Sequence, residues 1–113
     1  MRIIIWNKAK DAIKDIYNYS YGVSPNYAKR IISNIYNKIY ELQRFPEIGR
    51  FIPELSYKYY RERICEKYRI IYYYSKNEST IYVLYIFCSR QNSKLFFQVH
   101  KNELIDFIKK LKN

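Results

Sequence analysis

At 113 residues and 14.0 kDa, the chain reads as one domain spanning 1–113. Its 18 isoleucines, with only two glycines and three prolines, exclude disordered, low-complexity and collagen-like classes. Twenty-one basic side chains against ten acidic ones give a net charge of +11, which points to a polyanionic or acidic partner.

Arg2-Ile3-Ile4-Ile5-Trp6 reads as a strand, because β-branched residues pack well on a pleated surface. Asn7 is placed to cap a helix in which Ala9, Ala12, Ile13 and Ile16 share one face. Gly22 is expected to close it. Ser24-Pro25 opens a second helix with an apolar stripe of Ala28, Ile31, Ile32, Ile35, Ile39 and Leu42. The short gap between them makes an antiparallel helix hairpin. Pro46 is expected to end the second helix, and the stretch from Phe45 to Leu55 reads as a structured loop.

From Tyr57 the pattern turns to strands. Tyr59, Arg61, Arg63 and Cys65 alternate with Tyr60, Glu62, Ile64 and Glu66. Lys67 begins a second strand through Tyr74, and Ser75 to Ser79 has hairpin-turn composition. Thr80 to Cys88 is apolar on both faces, as a central strand is. Ser89 to Ser93 is polar and leaves the sheet, after which Leu104, Phe107, Ile108 and Leu111 mark a short C-terminal helix. Short turns make these three strands antiparallel, giving a two-layer α+β domain.

The charge excess is uneven, at +4 over residues 1–56 and +7 over 57–113. No apolar run approaches the roughly 20 residues of a membrane span. The run Ile3 to Trp6 is too short for a signal-peptide core. The expectation is a cytoplasmic chain without a membrane partner. Cys65 and Cys88 read as small buried hydrophobes, and His100 is the only histidine. Neither a Cys/His metal site nor a nucleophilic triad has its ligands, so no metal or cofactor is expected.

Certain segments share a recognisable order. They are Leu42-Gln43-Arg44-Phe45-Pro46-Glu47-Ile48-Gly49-Arg50, Pro53-Glu54-Leu55, Tyr60-Arg61-Glu62-Arg63-Ile64, Tyr68-Arg69-Ile70-Ile71-Tyr72 and Ser89-Arg90-Gln91-Asn92. In order and spacing, with the helix hairpin before them, they resemble the RelE/ParE superfamily of type II toxin–antitoxin toxins. The Pro-Glu-Ile-Gly-Arg loop and long second helix look more like the ParE side. The resemblance implies a two-layer RelE/ParE-like fold and a growth-arresting toxin held by a cognate acidic antitoxin. RelE-like members cleave mRNA on the ribosome without metal. ParE-like members block DNA gyrase and are not nucleases.

By motif, the nuclease positions of RelE-like members fall here on Arg61, Arg63, Arg69, Arg90 and Phe96. These are the candidate catalytic, target- or anion-binding residues. Metal-free cleavage requires a base for the 2′-hydroxyl, an acid for the leaving oxygen and fixed cations for the phosphate. Arginine binds phosphate bidentately but stays protonated, so it is a poor base. Phe96 stands where the resemblance implies a tyrosine and has no proton to give. His100 is a weak substitute. Three functions follow in order: a gyrase-directed toxin; a metal-independent, ribosome-dependent endoribonuclease; and a nucleic-acid-binding module without toxicity. Each arginine, read as an exposed strand residue, is expected to be replaceable at a cost within about 0.5 kcal/mol.

Overall fold

The computed structural model describes residues 1–112. The chain runs β1 (Arg2–Ile5), α1 (Asn7–Val23), α2 (Pro25–Glu41), β2 (Arg50–Phe51), β3 (Arg61–Cys65), β4 (Tyr68–Ser75), β5 (Thr80–Cys88), α3 (Ser93–Val99) and α4 (Lys101–Lys112). One five-stranded sheet has the order β1-β5-β4-β3-β2. The last three strands and β2 are antiparallel, while β1 joins β5 in parallel, Arg2 opposite Thr80. The α+β architecture is the one expected, with one short strand and one helix added. Among the described residues no helix is long and apolar enough to cross a membrane.

Proline decides where α1 stops. The residue before Pro25 is excluded from the helical region, so Ser24 is extended (φ −165°, ψ 144°) and α1 runs on through Gly22 to Val23. Gly22 therefore lies within the helix and does not close it. Ser24 serves both helices. Its N–H donates to Ser20 O at 3.0 Å, and its Oγ accepts from Tyr27 N–H at 2.9 Å. At the other end of α1 the cap position is Trp6, not Asn7, and no side chain caps it. Strand pairing reaches Trp6, whose N–H donates to Val83 O at 2.9 Å, and the helix begins at once after it. The second helix stops at Glu41, four residues short of Phe45, the residue that Pro46 restrains.

The helix hairpin lays Ile13, Ile16, Ile31, Ile35, Ile39 and Leu42 on one sheet face, against Cys65, Tyr68, Ile70, Tyr72, Ile81, Val83 and Ile86. The opposite face carries Tyr60, Ile71, Leu84, Tyr85 and Phe87 under Phe97, Leu104 and Phe107. Here the sequence pattern missed α3, which Asn92 caps by accepting from Leu95 N–H at 3.1 Å. Of the apolar positions expected in α4, Leu111 lies outside the described side chains. Tyr60 O–H donates to Leu104 O at 2.6 Å and ties α4 to the sheet. A bulge at Leu84 lets both Leu84 and Tyr85 serve this second face.

Cys65 and Cys88 both lie opposite Tyr68, on the strands to either side of it. Two strand spacings, roughly 10 Å, separate them, beyond the reach of a disulfide.

Candidate functional site

A two-residue turn, Glu66-Lys67, joins β3 to β4 with Glu66 in the left-handed region at φ 53°. Arg30 Nη1 and Asn34 Nδ2 hold the Glu66 carboxylate from α2, at 3.2 and 3.1 Å. The turn sets the register: Arg61 faces Tyr72, Arg63 faces Ile70, and Ile64 faces Arg69. Residues directly opposite share a face. Arg61 and Arg63 therefore lie on the helix-hairpin face and Arg69 on the other.

Arg69 is enclosed. Its side chain is 8% exposed and forks onto Glu54 with two bonds of 2.7 and 2.8 Å. Its Nε donates to Glu62 Oε1 at 2.7 Å, and Nη2 also reaches that oxygen. Glu62 is wholly buried, and its second oxygen accepts from Arg50 Nε at 2.6 Å. Phe87 and Phe97 flank the Arg69 guanidinium at 5.2 and 5.4 Å. The Glu54–Arg69–Glu62–Arg50 chain satisfies its own charges. The hydrogen bonds from Arg69 pull the Glu54 carboxyl from its usual 4.5 to about 2, against the opposing effect of burial.

That shift gives a pH prediction. A depressed carboxyl stabilises the fold above its unfolded pKa, and the gain disappears as pH falls through the folded value. Stability should fall between about pH 5 and pH 2, by on the order of 1 kcal/mol for Glu54, because its solvent-facing side screens the attraction. Glu66 and Glu103 are also lowered and add to the acid limb. Denaturant melts at stepped pH, with Glu54→Gln as reference, isolate the Glu54 part as the difference between the two slopes.

The remaining candidates stand apart. Arg61 Nη1 donates to Glu47 O at 3.2 Å and Gly49 O at 2.8 Å, and its guanidinium lies 4.1 Å from the Phe51 ring. Arg63 is 10% exposed, pairs with Glu41 at 3.1 Å, and keeps Nη1 buried without a hydrogen-bond partner. Arg90 follows β5 at the far end of the sheet, in a cleft with Lys67, Tyr19 and Tyr68. Arg61 lies opposite Tyr72, whereas Cys88 lies opposite Tyr68. Four strand residues, roughly 13 Å, separate those levels. The four arginines do not close around one phosphate.

Phe96 stacks on Phe87 at 4.0 Å and forms the wall of an aromatic cluster with Tyr85 and Phe97. His100 packs on Phe96 and Tyr85, with Nδ1 3.5 Å from Glu103 Oε1. Glu103 accepts from Tyr85 O–H at 2.5 Å and from Lys8 Nζ at 2.6 Å. Burial, with that bond to Glu103, pushes the Tyr85 hydroxyl far above its ordinary range. The residues alone allowed Arg69 a glutamate partner, Glu62 or Glu66, but gave no sign of this cluster or of the Glu54 carboxylate on Arg69. The signal for Glu54 was in plain view, as the glutamate inside Pro53-Glu54-Leu55. Among the described residues no group of three His, Cys, Asp or Glu is placed to hold a metal ion.

The ParE toxin model, for toxins of the type II toxin–antitoxin system parDE, matches residues 3–93. This chain belongs to the ParE toxin family. Membership gives it an antitoxin as partner. A chain from a chromosomal ParDE toxin–antitoxin system of P. aeruginosa has the same fold, with a TM-score of 0.65. The two share 19% identity over 78% of this chain and 95% of that one. No curated protein gives a significant sequence match. In this ParE-family chain Arg61, Arg63, Arg69 and Arg90 fall inside the matched span, and Phe96, His100 and Glu103 beyond it.

Proposed function

We propose that this ParE-family toxin arrests growth by binding a macromolecular target without cutting RNA, and that the target is DNA gyrase. The observation that carries the reading is the capture of Arg69 by Glu54 and Glu62, on the sheet face opposite Arg61 and Arg63. A phosphate drawn to Arg69 meets two carboxylates already in place. Phe96 offers an aromatic ring and no hydroxyl beside it. Arg61 and Arg90 then act as separate target contacts, and Arg63 and Arg69 act through the fold they hold. The choice of gyrase follows the ParE family.

Purified toxin should inhibit supercoiling by gyrase and leave mRNA uncut on programmed ribosomes. Phe96→Tyr, which supplies a hydroxyl, should leave mRNA equally intact. Efficient cleavage by the unmodified protein, with supercoiling untouched, would replace this reading with the endoribonuclease one.

A further inference from the structure

Large apolar side chains are exposed where the chain leaves α2. Phe45 is 53% and Ile48 51% exposed, around an apolar hollow of about 420 Å³ that includes Arg44 and Pro46. This loop is held firmly. Tyr72 O–H donates to Pro46 O at 2.9 Å, Gly49 N–H donates to the Tyr72 oxygen at 2.9 Å, and Ile48 N–H donates to Phe45 O at 3.1 Å. Arg61 ties down the carbonyls of Glu47 and Gly49. A segment fixed in this way presents its side chains already ordered, so a partner need not supply the cost of ordering them.

Beside the loop, and sharing Glu47 with it, lies a cleft of about 340 Å³. Lys58, Arg61 and Lys76 line it, with Phe51 and Tyr59 between them. Its one carboxylate, Glu47, lies 3.1 Å from Lys76. The surface is thus half apolar knob and half cationic groove.

We infer that this surface is the seat of an acidic, apolar-bearing segment of the antitoxin. The inference rests on the antitoxin partnership and adds where that partner docks. Apolar side chains of the segment cover Phe45 and Ile48, while its carboxylates meet Lys58, Lys76 and Arg44. A nucleic-acid strand fits less well. Its phosphates would use the cations but leave Phe45 and Ile48 wet. Phe51 already carries the Arg61 guanidinium at 4.1 Å and Lys58 at 6.0 Å.

The test is calorimetric titration of the full-length toxin with its cognate antitoxin at low and high salt. Phe45→Ser with Ile48→Ser should weaken binding by at least about tenfold, as the loss of a central apolar anchor does. Lys58→Glu with Lys76→Glu should weaken it at low salt and flatten its salt dependence. Thermal melts check the fold. Should the apolar pair unfold the protein, Ile48→Gln alone carries the same test. If the unmodified toxin does not bind the antitoxin, the partnership itself fails. If it binds and the apolar variants bind within about twofold of it, the seat lies elsewhere and the inference is overturned, whatever the lysine pair does. Competition by a short oligothymidylate, sensitive only to the lysine pair, would mark the cleft as a nucleic-acid site and overturn it too.

Discussion

Arg69→Ala should lower stability by about 3–5 kcal/mol, and the unfolding midpoint by roughly 12–20 °C for a domain of this size. The expectation that each candidate arginine is replaceable at little cost does not hold here. Arg69 is 8% exposed, and its removal strips Glu62 of the partner that compensates a wholly buried carboxylate. Arg50 alone would remain on Glu62, from a side chain that is 64% exposed. Arg90→Ala, at an exposed turn, should move the midpoint only slightly. The penalty lies in the orphaned charge more than in the lost attraction. Arg69→Met combined with Glu62→Leu should therefore cost much less than Arg69→Ala alone. Circular dichroism melts of these variants decide it. An Arg69→Ala midpoint matching that of Arg90→Ala would show that the ion chain does not hold this corner of the fold.

Gly49→Ala should be nearly as damaging, at about 2–4 kcal/mol, from overpacking together with disturbed buried hydrogen bonds. The cause is space, because Gly49 has no left-handed backbone to protect. An added methyl would sit 2.6 Å from the Tyr72 hydroxyl, 2.7 Å from Tyr72 Cε1 and 2.7 Å from the Glu62 carbonyl. Tyr72 is fully buried and cannot swing away, and the Glu62 carbonyl belongs to β3. The loop must move instead, losing the bonds of Gly49 N–H and Pro46 O to the Tyr72 hydroxyl. Tyr72→Phe would remove those bonds without adding bulk and should cost about 1–3 kcal/mol. Joining it to Gly49→Ala should give no rescue, since the ring carbon and the β3 carbonyl still clash. Denaturant unfolding of the three variants separates the two causes. Wild-type stability in Gly49→Ala would mean that the loop yields freely.

The turn between β3 and β4 shows where sequence reasoning stops. Alternation correctly puts Arg61 and Arg63 on one face of one strand, because that depends only on the period of two. It says nothing about which face Arg69 takes. With two residues in the turn, Cys65 pairs Tyr68 and Arg69 pairs Ile64. One residue more would bring Arg69 to the face of Arg63, because a single step of register inverts every side chain. The gathered arginine pocket fails on that parity.

What the sequence determined by itself is what local spacing controls. The apolar stripes of α1 and α2, the Ser24-Pro25 start and the antiparallel run β3-β4-β5 each depend on residues a few positions apart. The family is marked by the order of short segments along the chain from Leu42 to Asn92, which is also legible without the fold. The tertiary structure alone decided the parallel docking of β1 on β5, the fork of Arg69 onto Glu54, and the meeting of Lys8, Tyr85 and Glu103. Those contacts join residues far apart in the chain. They are chosen by which buried charges must be neutralised and which apolar faces meet, and a period in the sequence marks an apolar face without naming its partner.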